Sequence, residues 1–455
     1  MTSVADSIEI RSHGATALPV EERILQLLQH LGIDQAHFAA RTPGDWTGLA
    51  TAYPGVFSSF TLVGPGAFAP HTVSTLASRL LVFTGDQEAS AERVRRIVEN
   101  LPDARLVTLH DYAMVGWTDM VAERTDEIGS AMMHFLAQHG APGGTKTVPP
   151  ADEQGEIAGI SYRMRGAGPP LVLLPLFLAP SQWEPLVPML SQHYCTITLG
   201  GVELGAVANL ESRGRAAGYL RMVQALTDAT QLQPGQTVLD VGCGTGVIDR
   251  WLGRHTAGKN RIIGVDVNRY LLQEAMALAR KEGPEGAVDF REGSAEALPF
   301  PDNSFDVTMS MTVIEEVDAQ QMLTEMVRVT KRGGRVAVIA RGMDMPFLMN
   351  LRLQAELQAK VSSPGVLGSV AARGCADASL YLRFHQAGLT QVKMLPQLPA
   401  FDGSDPYMLQ FMQNGLLGKL TEEEAQQWQS ARAQVEAEGT FFMTWPHHCA
   451  VGTKP

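Results

Sequence analysis

The stretch that most limits what this 455-residue chain can fold into is TVLDVGCGTGVIDRWLGRH, residues 237–255. A short apolar run ends in an aspartate, glycines follow at 242, 244 and 246, and a helical pattern begins at once. Glycine lets the backbone approach a ligand closely, and the start of the next helix favours an electron-rich group. A dinucleotide turn spaces its glycines GxGxxG. Here the spacing is GxGxG, and Val247 stands where the third glycine would be needed, so the turn suits a ligand without a pyrophosphate. The next apolar run, RIIGVDV, carries Asp266 near its end, where a carboxylate can accept hydrogen bonds from the vicinal hydroxyls of a ribose.

From Gln231 onward the runs TVLDVG, RIIGVDV, VDFREG, FDVTMSM and GRVAVIARG alternate with helical stretches. That rhythm predicts an α/β domain, a parallel sheet with helices on both faces. In such a sheet the ligand sits beyond the carboxyl ends of the strands.

The chain is long enough for two or three compact units, and 45% hydrophobic with 18% charged residues is the composition of a globular protein. A net charge of −12 leaves no basic face to offset phosphate repulsion, so a small molecule is the expected partner rather than nucleic acid or an anionic membrane. Cys195, Cys243, Cys375 and Cys449 stand far apart with no CxxC pair. Neither a metal cluster nor a disulfide framework is predicted, and a reducing compartment fits. The amino terminus lacks the apolar run of a secretory signal, and LVLLPLFLAP, residues 171–180, is about half the length of a membrane span. The expectation is a cytoplasmic protein; a homo-oligomer stays open.

Residues 215–455 resemble the class I S-adenosyl-L-methionine (SAM)-dependent methyltransferases, on the glycine turn, the acidic strand end at Asp266, the segment REGSAEALPFPDNSFDV and the turn KRGGRVAV, all in order. The resemblance implies a Rossmann-like, seven-stranded sheet whose last strand, HHCAVGTK, runs antiparallel. It implies that SAM is bound by Asp240, Gly242, Cys243, Gly244 and Gly246 along the methionine and ribose portions, by Asp266 on the ribose, and by Val267, Ser294 and Ala295 around the adenine, with Met311 close by. Many relatives carry aspartate where Ser294 stands. The substrate mouth is expected from Thr312, Arg341, Met343, Asp344, Phe442 and Trp445. His447 or Glu315 is the candidate general base; alternation along a strand sends His447 and His448 to opposite faces. A glutamate pair such as Glu315–Glu316 also suits a solvated helix start.

The first 210 residues resemble an α/β-hydrolase domain read in the wrong order, its second half (1–140) before its first (156–210), joined by a glycine- and proline-rich linker at 141–155. Such a circular permutation is tolerated where old termini lie close together. In the matching turn HFAARTPGDW, Ala40, Thr42 and Gly44 occupy the Gly-Ser-Gly positions. Glu88 falls at the triad acid, Met114 at the histidine with His110 four residues earlier, and Pro175–Leu176 replace the oxyanion loop's opening His-Gly. Acyl transfer needs nucleophile, base and oxyanion hole together, so loss of hydrolysis is expected. The sequence therefore predicts a methyltransferase of a small, apolar or aromatic molecule with a non-hydrolytic accessory domain. A bifunctional hydrolase-methyltransferase using Thr42 and His110, and a non-catalytic SAM-binding sensor or scaffold, are the alternatives.

Overall fold

A computed structural model describes the chain except residues 1–18, 42–46, 66–67, 69, 88–90, 113–119, 140–147, 177, 203, 283–286, 366–369 and 418. It divides into two compact units, residues 1–174 with 185–199, and residues 175–184 with 200–455. Among the described residues no helix is long and apolar enough to cross a membrane.

The first unit is built on eight strands, β1 (Ala36–Ala40), β2 (Phe57–Val63), β3 (Leu80–Gly85), β4 (Arg105–Leu109), β5 (Val148–Ile157), β6 (Ile160–Gly168), β7 (Pro170–Leu173) and β8 (Cys195–Gly200). They lie in the order β4-β3-β2-β1-β7-β8-β6-β5. The strands β1 to β4, and β7 with β8, pair in parallel, and β1 joins the two halves through β7. β1, β2 and β3 are buried along their whole length, as sheet interiors covered on both faces require.

The expected linker is only partly a linker. Val148–Gly155 belong to β5, antiparallel to β6, with Tyr162 Oη donating to Glu153 Oε1 at 3.0 Å. The prolines that suggested a loop fall at a register shift between Val148 and Ala151. β5 is an edge strand, where a missing N–H need not cost a ladder bond.

The second unit carries β9 (Thr237–Val241), β10 (Arg261–Asp266), β11 (Val288–Glu292), β12 (Phe305–Met311), β13 (Thr330–Arg341), β14 (Thr390–Met394) and β17 (His447–Thr453) in one sheet, with β15 (Ala400–Asp402) and β16 (Phe442–Thr444) as a separate antiparallel pair. The sheet order is β11-β10-β9-β12-β13-β17-β14. β9 to β13 are parallel, and β17 runs antiparallel to both β13 and β14. The seven-stranded α/β sheet with an antiparallel last strand is thus present. Alternation splits its core: Val238, Met309, Met311, Ile339 and Cys449 face one apolar cluster, and Leu239, Val241, Val338 and Ala450 face another. By the same alternation Asp240 and His447 share the first face, and His448 takes the second.

Candidate functional site

β9 ends in the glycine turn, and the helix Val247–His255 begins immediately after it. Gly242, Gly244 and Gly246 have φ of 78°, 56° and 68°, values an L side chain resists. Space forbids a side chain as well: a Cβ would sit 2.2 Å from Val313 Cγ2 at Gly242 and 2.3 Å from Phe290 Cζ at Gly246. At the end of β10, Asp266 Oδ2 accepts from Gly244 N and Oδ1 from Asn268 N, both at 2.8 Å. Val267 follows with 65% of its surface exposed, an apolar face left open beside the turn. Ser294 and Ala295 are half-buried; Ser294 Oγ accepts from Glu296 N at 3.2 Å.

The turn is held from beneath by a network that sequence reasoning missed. Arg250, 1% exposed, donates through Nη2 to Glu211 Oε2 at 2.5 Å and through Nη1 to Thr245 O at 2.6 Å. Thr245 Oγ1 donates to Glu211 Oε1 at 2.5 Å. One guanidinium and one carboxylate thus fix both the backbone and the side chain of the residue between two of the glycines.

Two more carboxyls lie buried here, Asp240 on β9 and Asp249 in the helix. Beyond each other and the N–H of Asp249 itself, Asp240 Oδ1 and both oxygens of Asp249 have no hydrogen-bond donor. Burial pushes Asp240 well above the usual carboxylate range, reinforced by the charge and hydrogen bonding of Asp249 and by Asp266. Burial likewise raises Asp249 to about 7, against its own backbone N–H, its hydrogen bond with Asp240 and the charge of Arg250.

The carboxyl ends of β12 and β13 and the start of β17 meet at the same end of the sheet, Arg341 pairing directly with His447. Thr312, just past β12, has φ of 56°, a strained conformation for a β-branched residue. Its N–H donates to Ile339 O at 2.8 Å, and its hydroxyl donates to Met311 O at 2.7 Å while accepting from Arg213 Nη1 at 2.9 Å. The Arg213 guanidinium stacks over Tyr219, whose ring meets His447 edge-on at 6.3 Å. His447 Nδ1 lies 2.8 Å from Trp445 O. A carbonyl only accepts, so Nδ1 carries the hydrogen and Nε2 keeps its lone pair. Burial, with the charges of Arg213 and Arg341, holds the imidazole neutral, down to about 3.

Glu315 is not part of a solvated helix start but wholly buried, its Oε1 accepting from Arg341 N at 2.5 Å and lying 3.4 Å from Arg341 Nε. Burial raises its pKa, opposed by Arg341. The exposed partner in the pair is Glu316, 3.1 Å from Arg341 Nη2. Trp445 is buried beside His447, ring centroids 5.8 Å apart; Phe442 is half-buried on β16; Met343 is half-buried after β13. Asp344 departs from the expected mouth: its Oδ1 is 2.7 Å from His448 Nε2, and its Oδ2 accepts from Ala378 N. Its hydrogen-bond partner thus belongs to the opposite sheet face, with Tyr381 Oη 2.9 Å from His448 Nδ1.

In the first unit Thr42, Gly44, Glu88 and Met114 lie outside the described residues, and Ala40 ends β1. Asp86, just after β3, and His110, just after β4, are instead brought together, His110 Nδ1 to Asp86 Oδ2 at 3.3 Å.

Residues 239–338 match the family model of a methyltransferase domain. The ubiquinone/menaquinone biosynthesis C-methyltransferase UbiE of Enterobacter sp. (strain 638) is 37% identical over 113 residues, 25% of this chain and 45% of that protein. Methyltransferase GfsG of Streptomyces halstedii is 38% identical over 119 residues, 26% and 42% of the two chains. The solved YcgJ protein of Bacillus subtilis aligns at 19% identity over 52% of this chain and 98% of its own, with a TM-score of 0.35. The chain spans less than half the length of these curated relatives. The match identifies residues 239–338, which hold the glycine turn and Asp266, as a methyltransferase domain. Its cofactor is S-adenosyl-L-methionine, and the residues present fit it: an orphaned buried oxygen at Asp240 and a turn of three glycines whose positive φ leaves the backbone bare of side chains.

Proposed function

We propose that this protein methylates a small, apolar or aromatic molecule, with His447 taking the proton that an oxygen, nitrogen or activated carbon must lose. Bound SAM supplies an electrophilic methyl group. The chain has to align an acceptor with it and accept a proton, work that geometry and a base divide between them. The observation that carries the reading is the tautomer of His447, its Nε2 lone pair uncommitted to Trp445, at the strand ends on the sheet face it shares with Asp240. Glu315 is the runner-up: Arg341 engages Oε1 but leaves Oε2 without a donor. The apolar acceptor follows from the cluster on that face, which includes Met311, Met349, Met408, Met443, Phe441 and Trp445. Methionine adapts to irregular apolar shapes, and the quinone-pathway names of the UbiE relatives point the same way.

The test is a panel of phenols, quinones, amines and thiols incubated with methyl-labelled SAM. A labelled product is expected, and His447→Ala lowers its kcat by about 10²- to 10⁴-fold with cofactor binding unchanged. Tight cofactor binding with no product across the panel would favour the sensor or scaffold reading; a kcat drop in Glu315→Gln but not in His447→Ala would move the base to Glu315.

We further infer that the first unit is a circularly permuted hydrolase-like module that no longer hydrolyses. Renumbered from β5, its strands run 1-2-4-3-5-6-7-8 across the sheet, an antiparallel opening pair followed by parallel strands, which supports the resemblance. The Asp86–His110 contact favours the bifunctional alternative, but His110 is 86% exposed and the matching nucleophile is a threonine. Nitrophenyl acetate and butyrate are expected to hydrolyse no faster with wild type than with Thr42→Ala or His110→Ala. Turnover lost in both variants would establish the bifunctional enzyme.

A further inference from the structure

Asp249 has no place in the methyl-transfer reading, yet it is 1% exposed and, beyond its own N–H and Asp240, no donor reaches either oxygen. An ionised carboxylate so placed would cost several kcal/mol, and its nearest neighbours make matters worse. Asp240 lies against it from β9, Asp266 acts on both from the end of β10, and the Cys243 thiol in the turn is raised by burial and by all three carboxyls. From the helix Ala217–Thr230, Tyr219 lies within reach of the Asp240 charge. The adjacent cation, Arg250, is committed to Glu211 and Thr245 O. Two carboxyls facing each other without a cation can be accommodated when one holds a proton between them.

We propose that Asp240 and Asp249 share a proton in the free protein and that this proton passes to solvent when the α-ammonium of the bound cofactor takes its place, so that cofactor binding is coupled to proton release. This rests on the cofactor reading. The balance is simple: a carboxyl O–H breaks, the proton goes to buffer, and the ammonium supplies the positive charge that the carboxylate pair then faces. Asp249 is a positioning residue that acts through Asp240, and the turn's affinity rises with pH because the competing proton is removed.

The sign follows from the raised titration of both members of the pair. While the free protein holds the proton, binding must expel it; as the pH rises past the titration of the pair, the coupling fades. S-adenosylhomocysteine, which keeps the ammonium and lacks the sulfonium, is the probe. Titration calorimetry between pH 6 and 7, where the ligand's amine stays protonated, is run in phosphate and in imidazole, buffers of different ionisation heat. Wild type should release about one proton per molecule bound and gain up to about tenfold in affinity per pH unit. In Asp249→Asn, whose amide can donate to an ionised Asp240, the release and the pH slope should fall by more than half. Equal heats in both buffers with wild type, or full release retained by a folded Asp249→Asn, would overturn the proposal while leaving the cofactor reading intact. Absence of any binding overturns both, and the wild-type measurement stands even if the variant fails to fold.

Discussion

Arg250→Leu is expected to lower the thermal unfolding midpoint of the methyltransferase unit by roughly 10 °C, followed by circular dichroism at the transition of that unit. Arg250 and Glu211 have side chains 1% and 7% exposed and meet at 2.5 Å. Removing the cation strands a buried carboxylate with only the Thr245 hydroxyl, a loss of about 3–5 kcal/mol, and a domain of this size shifts by about 2–4 °C per kcal/mol. The double variant Arg250→Leu/Glu211→Leu separates fold from function. With both charges gone, most of the stability should return, because a well-packed apolar pair commonly matches a buried ion pair. Cofactor affinity should not return with it, since the bond from Arg250 to Thr245 O, which fixes the turn between Gly244 and Gly246, is lost in both. A midpoint unchanged within 2 °C in the single variant would show that the ion pair contributes little.

That network marks the boundary of what the sequence discloses. The turn and Asp266 are legible because their chemistry is local: glycines at fixed spacing, then an acidic strand end whose partners are Gly244 N and Asn268 N. Glu211 and Arg250 are not, because 39 residues separate them and each reads by itself as an ordinary charge on a helix surface. Asp249 is masked in the same way. An acid in the first helical turn is what the helix dipole favours, so nothing in the sequence says that this one faces inward toward Asp240. The position of His447 opposite Arg341 follows from strand topology and was foreseeable; its tautomer depends on the carbonyl of Trp445 and was not. Glu315 and Glu316 are adjacent, yet one is wholly buried and the other exposed, a division set by where Arg341 enters from another strand. In the first unit a proline pair concealed the start of β5, because an edge strand tolerates what an inner strand would not.

Asp266→Ala is expected to reduce the affinity for SAM and for S-adenosylhomocysteine by at least about 100-fold, measured by titration calorimetry. The carboxylate already accepts one backbone N–H on each oxygen, which leaves a further lone pair on each for a ribose diol. Two charge-assisted hydrogen bonds at about 1.5–3 kcal/mol each amount to a loss of about 3–6 kcal/mol, or roughly 10²- to 10⁴-fold. The same substitution releases Gly244 N from its partner, so part of the loss could come from a loosened turn rather than from the diol. Asp266→Asn resolves the two contributions. Its side-chain carbonyl can still accept from Gly244 N, but its amide group repels the second N–H and cannot accept from a hydroxyl. If the carboxylate serves chiefly to brace the turn, adenosine and 2′,3′-dideoxyadenosine should bind wild type equally, and Asn should recover most of the affinity that Ala loses. If it holds the ribose, wild type should prefer adenosine over its dideoxy counterpart, and that preference should vanish in both variants. Loss of less than threefold in Asp266→Ala would remove Asp266 from the cofactor site altogether.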